Sequence, residues 1–153
     1  VAYRNRGFAY ADKDEYDLAI ADYAKATELD PDYAAAYNSL AWLCADTLET
    51  NLEEVLELAQ SAVELQPESP YYLDTLAWTY YKLGRYQEAL DIYNKTIERT
   101  PDASYLYLGR GHVNAEVGEV TAAIADLEMY VQLEPAADDR AEIEALISEL
   151  RGE

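Results

Sequence analysis

Residues 72–101 read YLDTLAWTYYKLGRYQEALDIYNKTIERTP, and this stretch decides the fold. Leu73, Ala77 and Tyr80 recur at i, i+4 and i+7, which lays them along one stripe of a helix. Gly84 and Arg85 interrupt the pattern with turn chemistry. Ala89, Tyr93 and Thr96 then repeat the same spacing up to Pro101. Two helices joined by a short turn follow, with small residues on the facing stripes to let them approach closely.

The same phrase recurs along the chain. Pro31, Pro67, Pro101 and Pro135 stand 36, 34 and 34 residues apart and close the segments ATELDPD, AVELQPE, TIERTPD and VQLEPAA. A period near 34 residues marks stacked helix–turn–helix units, each burying its apolar face on its neighbours. With the closing proline at position 32 of a 34-residue frame, the repeats are 1–33, 34–69, 70–103 and 104–137. The second is two residues longer than the third and fourth, an excess expected to lengthen its central turn at 46–51. The stripes are Tyr3/Gly7/Tyr10, Tyr37/Ala41/Cys44, Leu73/Ala77/Tyr80 and Tyr107/Gly111/Asn114 in the first helices. In the second helices they are Ala19/Tyr23/Ala26, Val55/Ala59/Ala62, Ala89/Tyr93/Thr96 and Ala123/Leu127/Tyr130. Residues 138–153 complete the chain with a helix at about 139–151, Asp138 as its N-cap and Gly152 at its end. Its stripe of Ile143, Leu146, Ile147 and Leu150 suits a terminal cover.

An aromatic or Leu, a small residue, a Tyr, then Ala, aromatic, Ala and Pro at fixed offsets resembles the tetratricopeptide repeat (TPR) signature over residues 1–137. Asn114 in place of Tyr, and Val55, Thr96 and Tyr130 in place of Ala, depart from it. The resemblance implies an all-α, right-handed α-solenoid of four such units plus a C-terminal capping helix. It also implies a non-catalytic interaction scaffold whose first helices line a concave groove with positions 2, 5, 6, 9 and 12. Position 9 here reads Phe8, Trp42, Trp78 and His112. Around it stand Arg4, Asn5, Asn38, Tyr71, Asp74, Tyr81, Lys82, Tyr105 and Leu108, with Asp12 and Asp46 at position 13. Two placements fit the tryptophans: exposure in the groove, or burial between adjacent first helices as wall supports. The Lys/Asn clamp that some family members close on a carboxylate tail is absent apart from Arg4, whereas Asn5 matches an asparagine that bonds extended peptide backbone.

Composition narrows the partner. The formal charge is −20, from 31 acidic and 11 basic residues. That field repels phosphate backbones and anionic lipid, so neither nucleic acid nor membrane is expected. The expected partner is a protein or peptide, neutral to basic, with apolar side chains. Homo-oligomerisation through the N-terminal end or the convex face is the alternative, as is a substrate-positioning domain of a larger enzyme. Cys44 is the sole cysteine and His112 the sole histidine, two repeats apart, so no nucleophile–base pair is expected. No phosphate loop or metal-ligand spacing is present, and no cofactor is expected. The chain begins at Val1 inside a repeat, which reads as a piece of a longer or processed protein. The compartment is not legible, with the cytoplasm as the expectation.

One correlation concerns packing. Position 7 reads Arg6, Leu40, Leu76 and Arg110, while position 23 reads Asp22, Leu58, Ile92 and Asp126. Arg always meets Asp and Leu meets an aliphatic residue, so partly buried ion pairs are expected in the first and fourth repeats. Most of the tyrosines fall on packing positions and are assigned to the core.

Overall fold

The computed structural model describes residues 1–48 and 51–152, and every described element is helical. The chain folds as two compact units, Val1–Gly84 and Arg85–Glu153.

In the first unit α1 (Ala2–Ala11) pairs with α2 (Tyr16–Leu29), and α3 (Ala34–Trp42) pairs with α4 (Leu52–Leu65). Helix α2 also packs on α3, and α4 on α5 (Pro70–Lys82). The second unit holds α6 (Tyr86–Arg99), α7 (Ser104–Glu116), α8 (Val120–Leu133) and α9 (Arg140–Arg151). There α6 packs on α7, α7 on α8, and α8 on α9. The closing prolines act as the sequence requires: Asp30, Gln66, Thr100 and Glu134, each just before one, have extended φ between −143° and −121° and end their helices. Gly84 and Gly118 carry φ of +73° and +82° in the inter-helix turns. Asp14 takes the same left-handed conformation at the equivalent frame position, and its carboxylate accepts the Tyr16 hydroxyl at 2.6 Å.

The second repeat departs from expectation. A π-helix over Leu43–Leu48 follows α3 directly, so the extra length enters the helix itself and not only a turn beginning at residue 46. A π-turn accommodates an added residue while keeping backbone hydrogen bonds, which an enlarged loop would lose to water. Ala45 is buried here where its counterparts Ala11, Tyr81 and Ala115 are half-buried, and Cys44, expected in the core, is half-buried and packs against the core cluster of Ala19, Tyr23, Leu40 and Leu43. Asp46, Thr47 and Asn51 are exposed, as expected; Glu49 and Thr50 lie outside the described residues.

Packing in the second unit is tight around glycine. A Cβ on Gly109 would lie 2.2 Å from the hydroxyl oxygen of Tyr93, a ring that is fully buried and has no room to retreat. Gly109→Ala should therefore lower the unit's stability by about 2 kcal/mol, checked by urea unfolding followed by circular dichroism.

At the C-terminus, Asp139 and not Asp138 occupies the N-cap position of α9, and it makes no cap hydrogen bond. Its carboxylate instead accepts the Tyr130 hydroxyl at 2.7 Å. Burial, then this bond, hold the Tyr130 phenol protonated up to about 12, above the ordinary 10.0. Because the folded state keeps this proton longer than the unfolded chain, the contribution is present below about pH 10 and disappears as pH rises towards 12. Tyr130→Phe should flatten that part of an alkaline unfolding curve.

Candidate functional site

The predicted surface residues begin on α1. Phe8 is 62% exposed and makes no aromatic contact among the described residues. Asn5 and Asp12 are exposed, and Arg4 turns towards α3, its Nε donating to Ser39 Oγ at 3.2 Å. Asn38 on α3 is half-buried with its Oδ1 enclosed.

A denser arrangement joins α3, the π segment and α5. Trp42, the last residue of α3, is 40% exposed. Its ring centroid lies 6.4 Å from that of Trp78 at a 31° tilt. One turn on, Tyr81 stands 4.8 Å from Trp78 at 34°. These are within the centroid range of favourable aromatic pairs. The indole N–H of Trp78 donates to Asp46 Oδ1 at 3.2 Å, and the Lys82 ammonium sits 5.2 Å from the Trp78 ring centre. Of the two placements considered for the tryptophans, burial as mere wall supports does not describe Trp42, while Trp78 is half-buried.

Asp46, expected at the groove, accepts the Trp78 indole N–H across from the π segment. Lys82, expected among the side chains around position 9, belongs to this cluster; it occupies position 13, where the other repeats carry acids. On α5, Tyr71 is 63% exposed and Asp74 half-buried. Tyr105 and His112 lie on α7, both half-buried, within the other compact unit.

The ion pairs expected from the Arg/Asp correlation are present as bidentate contacts. Arg6 Nε and Nη2 donate to Asp22 at 2.6 and 2.7 Å, and Arg110 Nε and Nη2 to Asp126 at 2.9 and 2.6 Å. Arg6 holds the Asp22 carboxyl below its ordinary value of 3.8, chiefly through these hydrogen bonds. A depressed folded-state value makes this contribution present at neutral pH and lost as pH falls through it. Asp22→Asn should thus make the acid unfolding limb of the first unit less steep.

The arrangement offers apolar area, ring faces and charge, but little catalytic chemistry. Among the described residues, no group of three or more His, Cys, Asp or Glu could hold a metal ion, and no helix is long and apolar enough to cross a membrane.

Comparison with known proteins places this geometry. Family models described as tetratricopeptide repeat match residues 1–33 and 75–139. A TPR repeat-containing protein of Pseudomonas aeruginosa is 34% identical over 73 residues, 48% of this chain and 12% of that protein. Protein FlbA of Caulobacter vibrioides is 28% identical over 126 residues, 82% of this chain and 21% of its own length. The chain thus spans a small part of both curated relatives. Among solved structures, a thermophilic TPR protein of Thermus thermophilus superposes with a TM-score of 0.83 at 23% identity, covering 97% of this chain and 79% of the other. YrrB, described as a TPR protein with an unusual peptide-binding site, gives 0.67 at 19% identity, covering 99% and 77%. These likenesses establish the fold, an all-α solenoid of helix–turn–helix units.

Proposed function

Because the chain belongs to the tetratricopeptide repeat family, we propose that it binds a peptide or protein segment on the aromatic surface formed by Trp42, Trp78 and Tyr81. Proteins of this fold serve as non-catalytic binding scaffolds, and the resemblance to YrrB extends to a protein described as having a peptide-binding site. The observation that carries the proposal is the exposure of Trp42 beside Trp78 and Tyr81, since burial of an aromatic side chain is worth most where it is still accessible to solvent.

The ligand inserts apolar side chains against these rings, with Asp46 keeping Trp78 oriented. A net charge of −20 favours neutral or basic sequences over acidic ones through the summed field. Groove residues Asn5, Asn38, Tyr71 and Asp74 extend the surface to either side in this proposal, and Tyr105 and His112 are its counterparts on α7. A peptide array tests it. Sequences combining Leu, Phe or Trp with Lys or Arg should be enriched, and their affinity should fall only moderately between low and physiological salt, because apolar contact is not screened. Enrichment of acidic sequences would contradict it.

A further inference from the structure

The two tryptophans of the aromatic surface are not equivalent, because one of them already carries a cation. Lys82 is half-buried on α5 and holds its Nζ 5.2 Å from the Trp78 ring centre. An ammonium at that distance is attracted by the negative face of an indole. Tyr81 lies 4.8 Å from the same ring, and Asp46 Oδ1 accepts its N–H at 3.2 Å. The chain itself thus supplies Trp78 with the group that a basic ligand would bring.

Trp42 is the opposite case. Its ring is 40% exposed, meets Trp78 at 6.4 Å, and carries no cation among the described residues. Four residues further on, Asp46 is exposed and forms no ion pair among the described residues. The bond described for its carboxylate is to a neutral indole, so its charge is not offset there. An open indole face and a carboxylate that keeps its charge therefore border the same Trp78 ring, all within the unit Val1–Gly84. Lys82 is also the exception in its row. Position 13 is Asp12, Asp46 and Glu116 in the other repeats, so in the third repeat alone a positive charge stands at this place.

On the reading that this surface binds a peptide, on which the inference rests, we propose that it takes a single arginine. The guanidinium stacks on Trp42 and pairs with Asp46, while Lys82 excludes a second cation from Trp78. Arginine suits the seat better than lysine, because a planar guanidinium lies flat on an indole and still directs N–H groups at a carboxylate beside it. The neighbouring side chain, directed at Trp78, is apolar. The 6.4 Å between the two rings is close to the roughly 6.7 Å that separates side chains i and i+2 on one face of an extended chain. The recognised pattern is thus an arginine two residues from an apolar side chain, and not a dibasic sequence.

The test is a fluorescence-anisotropy titration of an array-selected peptide with an arginine two residues from a leucine. Three altered peptides accompany it: lysine for the arginine, citrulline for the arginine, and arginine for the leucine. Each is titrated against the native chain, Lys82→Met and Lys82→Arg, with helical spectra confirmed unchanged. On the native chain, citrulline should weaken binding about tenfold and lysine about threefold, since the first removes the charge and the second only the planar fork. The dibasic peptide should bind the native chain about fivefold more weakly than its leucine parent. That penalty should vanish on Lys82→Met and persist on Lys82→Arg. Selection of peptides without arginine, or indifference to citrulline, overturns the arginine seat. An equal penalty on the native chain and Lys82→Met overturns the role of Lys82, as does a loss of single-arginine binding on Lys82→Met, which would make Lys82 a contact to the ligand. Any of these results, with binding still lost in Trp42→Ala, leaves the peptide-binding surface standing. Binding by no peptide that depends on Trp42 and Trp78 removes that surface and this inference with it.

Discussion

Replacing Asp126 by alanine should lower the stability of the unit Arg85–Glu153 by about 3 kcal/mol, because it leaves Arg110 without its carboxylate inside a packed helix pair. Arg110 is largely covered and Asp126 is buried, so water replaces little of what is lost. Asp126 also accepts from Asn114 Nδ2 at 2.9 Å, and Arg110 donates to Asn94. That network alters what a compensating swap achieves. Arg110→Leu with Asp126→Leu removes both charges but strands the amide of Asn114, costing about 1 kcal/mol where two residues alone would be near neutral. Adding Asn114→Tyr, the residue at this position in the first and third repeats, should recover most of that loss. Urea unfolding of the single, double and triple variants gives the three values.

The Arg/Asp correlation was legible because it is a pairwise rule: a buried Arg needs a carboxylate opposite, and the sequence shows both or neither. Asn114 was legible only as an exception to Tyr; its reason is Asp126, which sits twelve residues away on the facing helix. The proline spacing was equally readable, since a proline both follows an extended residue and forbids helix continuation.

The π segment was not readable in the same way. Two surplus residues specify extra chain length, and side-chain periodicity does not say whether a turn or a wider helix absorbs it. The consequence reaches the candidate site. Asp46 lies on Leu43–Leu48, so its engagement with the Trp78 indole depends on a winding that no i, i+4 pattern encodes. Position 9 correctly singled out Trp42 and Trp78 as a pair, since equivalent positions on neighbouring first helices lie side by side. It did not foresee that Phe8, at the same frame position, makes no ring contact among the described residues.

Binding should depend most on the two tryptophans. An aromatic pair contributes roughly 0.5–1.5 kcal/mol beyond the area it buries, and a cation on Trp about as much. Losing either ring removes its own contact and the support it gives the other, so Trp42→Ala and Trp78→Ala should each weaken a selected peptide about tenfold or more. Asp46 separates orientation from charge. Asp46→Asn removes the charge but keeps an oxygen able to accept the indole N–H, so it should weaken basic peptides and leave neutral ones nearly unchanged. Asp46→Ala releases the ring and should weaken both.

The most direct measurement is a fluorescence-anisotropy titration of one array-selected apolar–basic peptide against the native chain, Trp42→Ala and Trp78→Ala, with far-ultraviolet circular dichroism recorded on each. Tenfold or greater losses in both variants, with unchanged helical spectra, are the expected result. Affinities within twofold of the native chain, with the same helical spectra, would contradict a binding role for this aromatic surface.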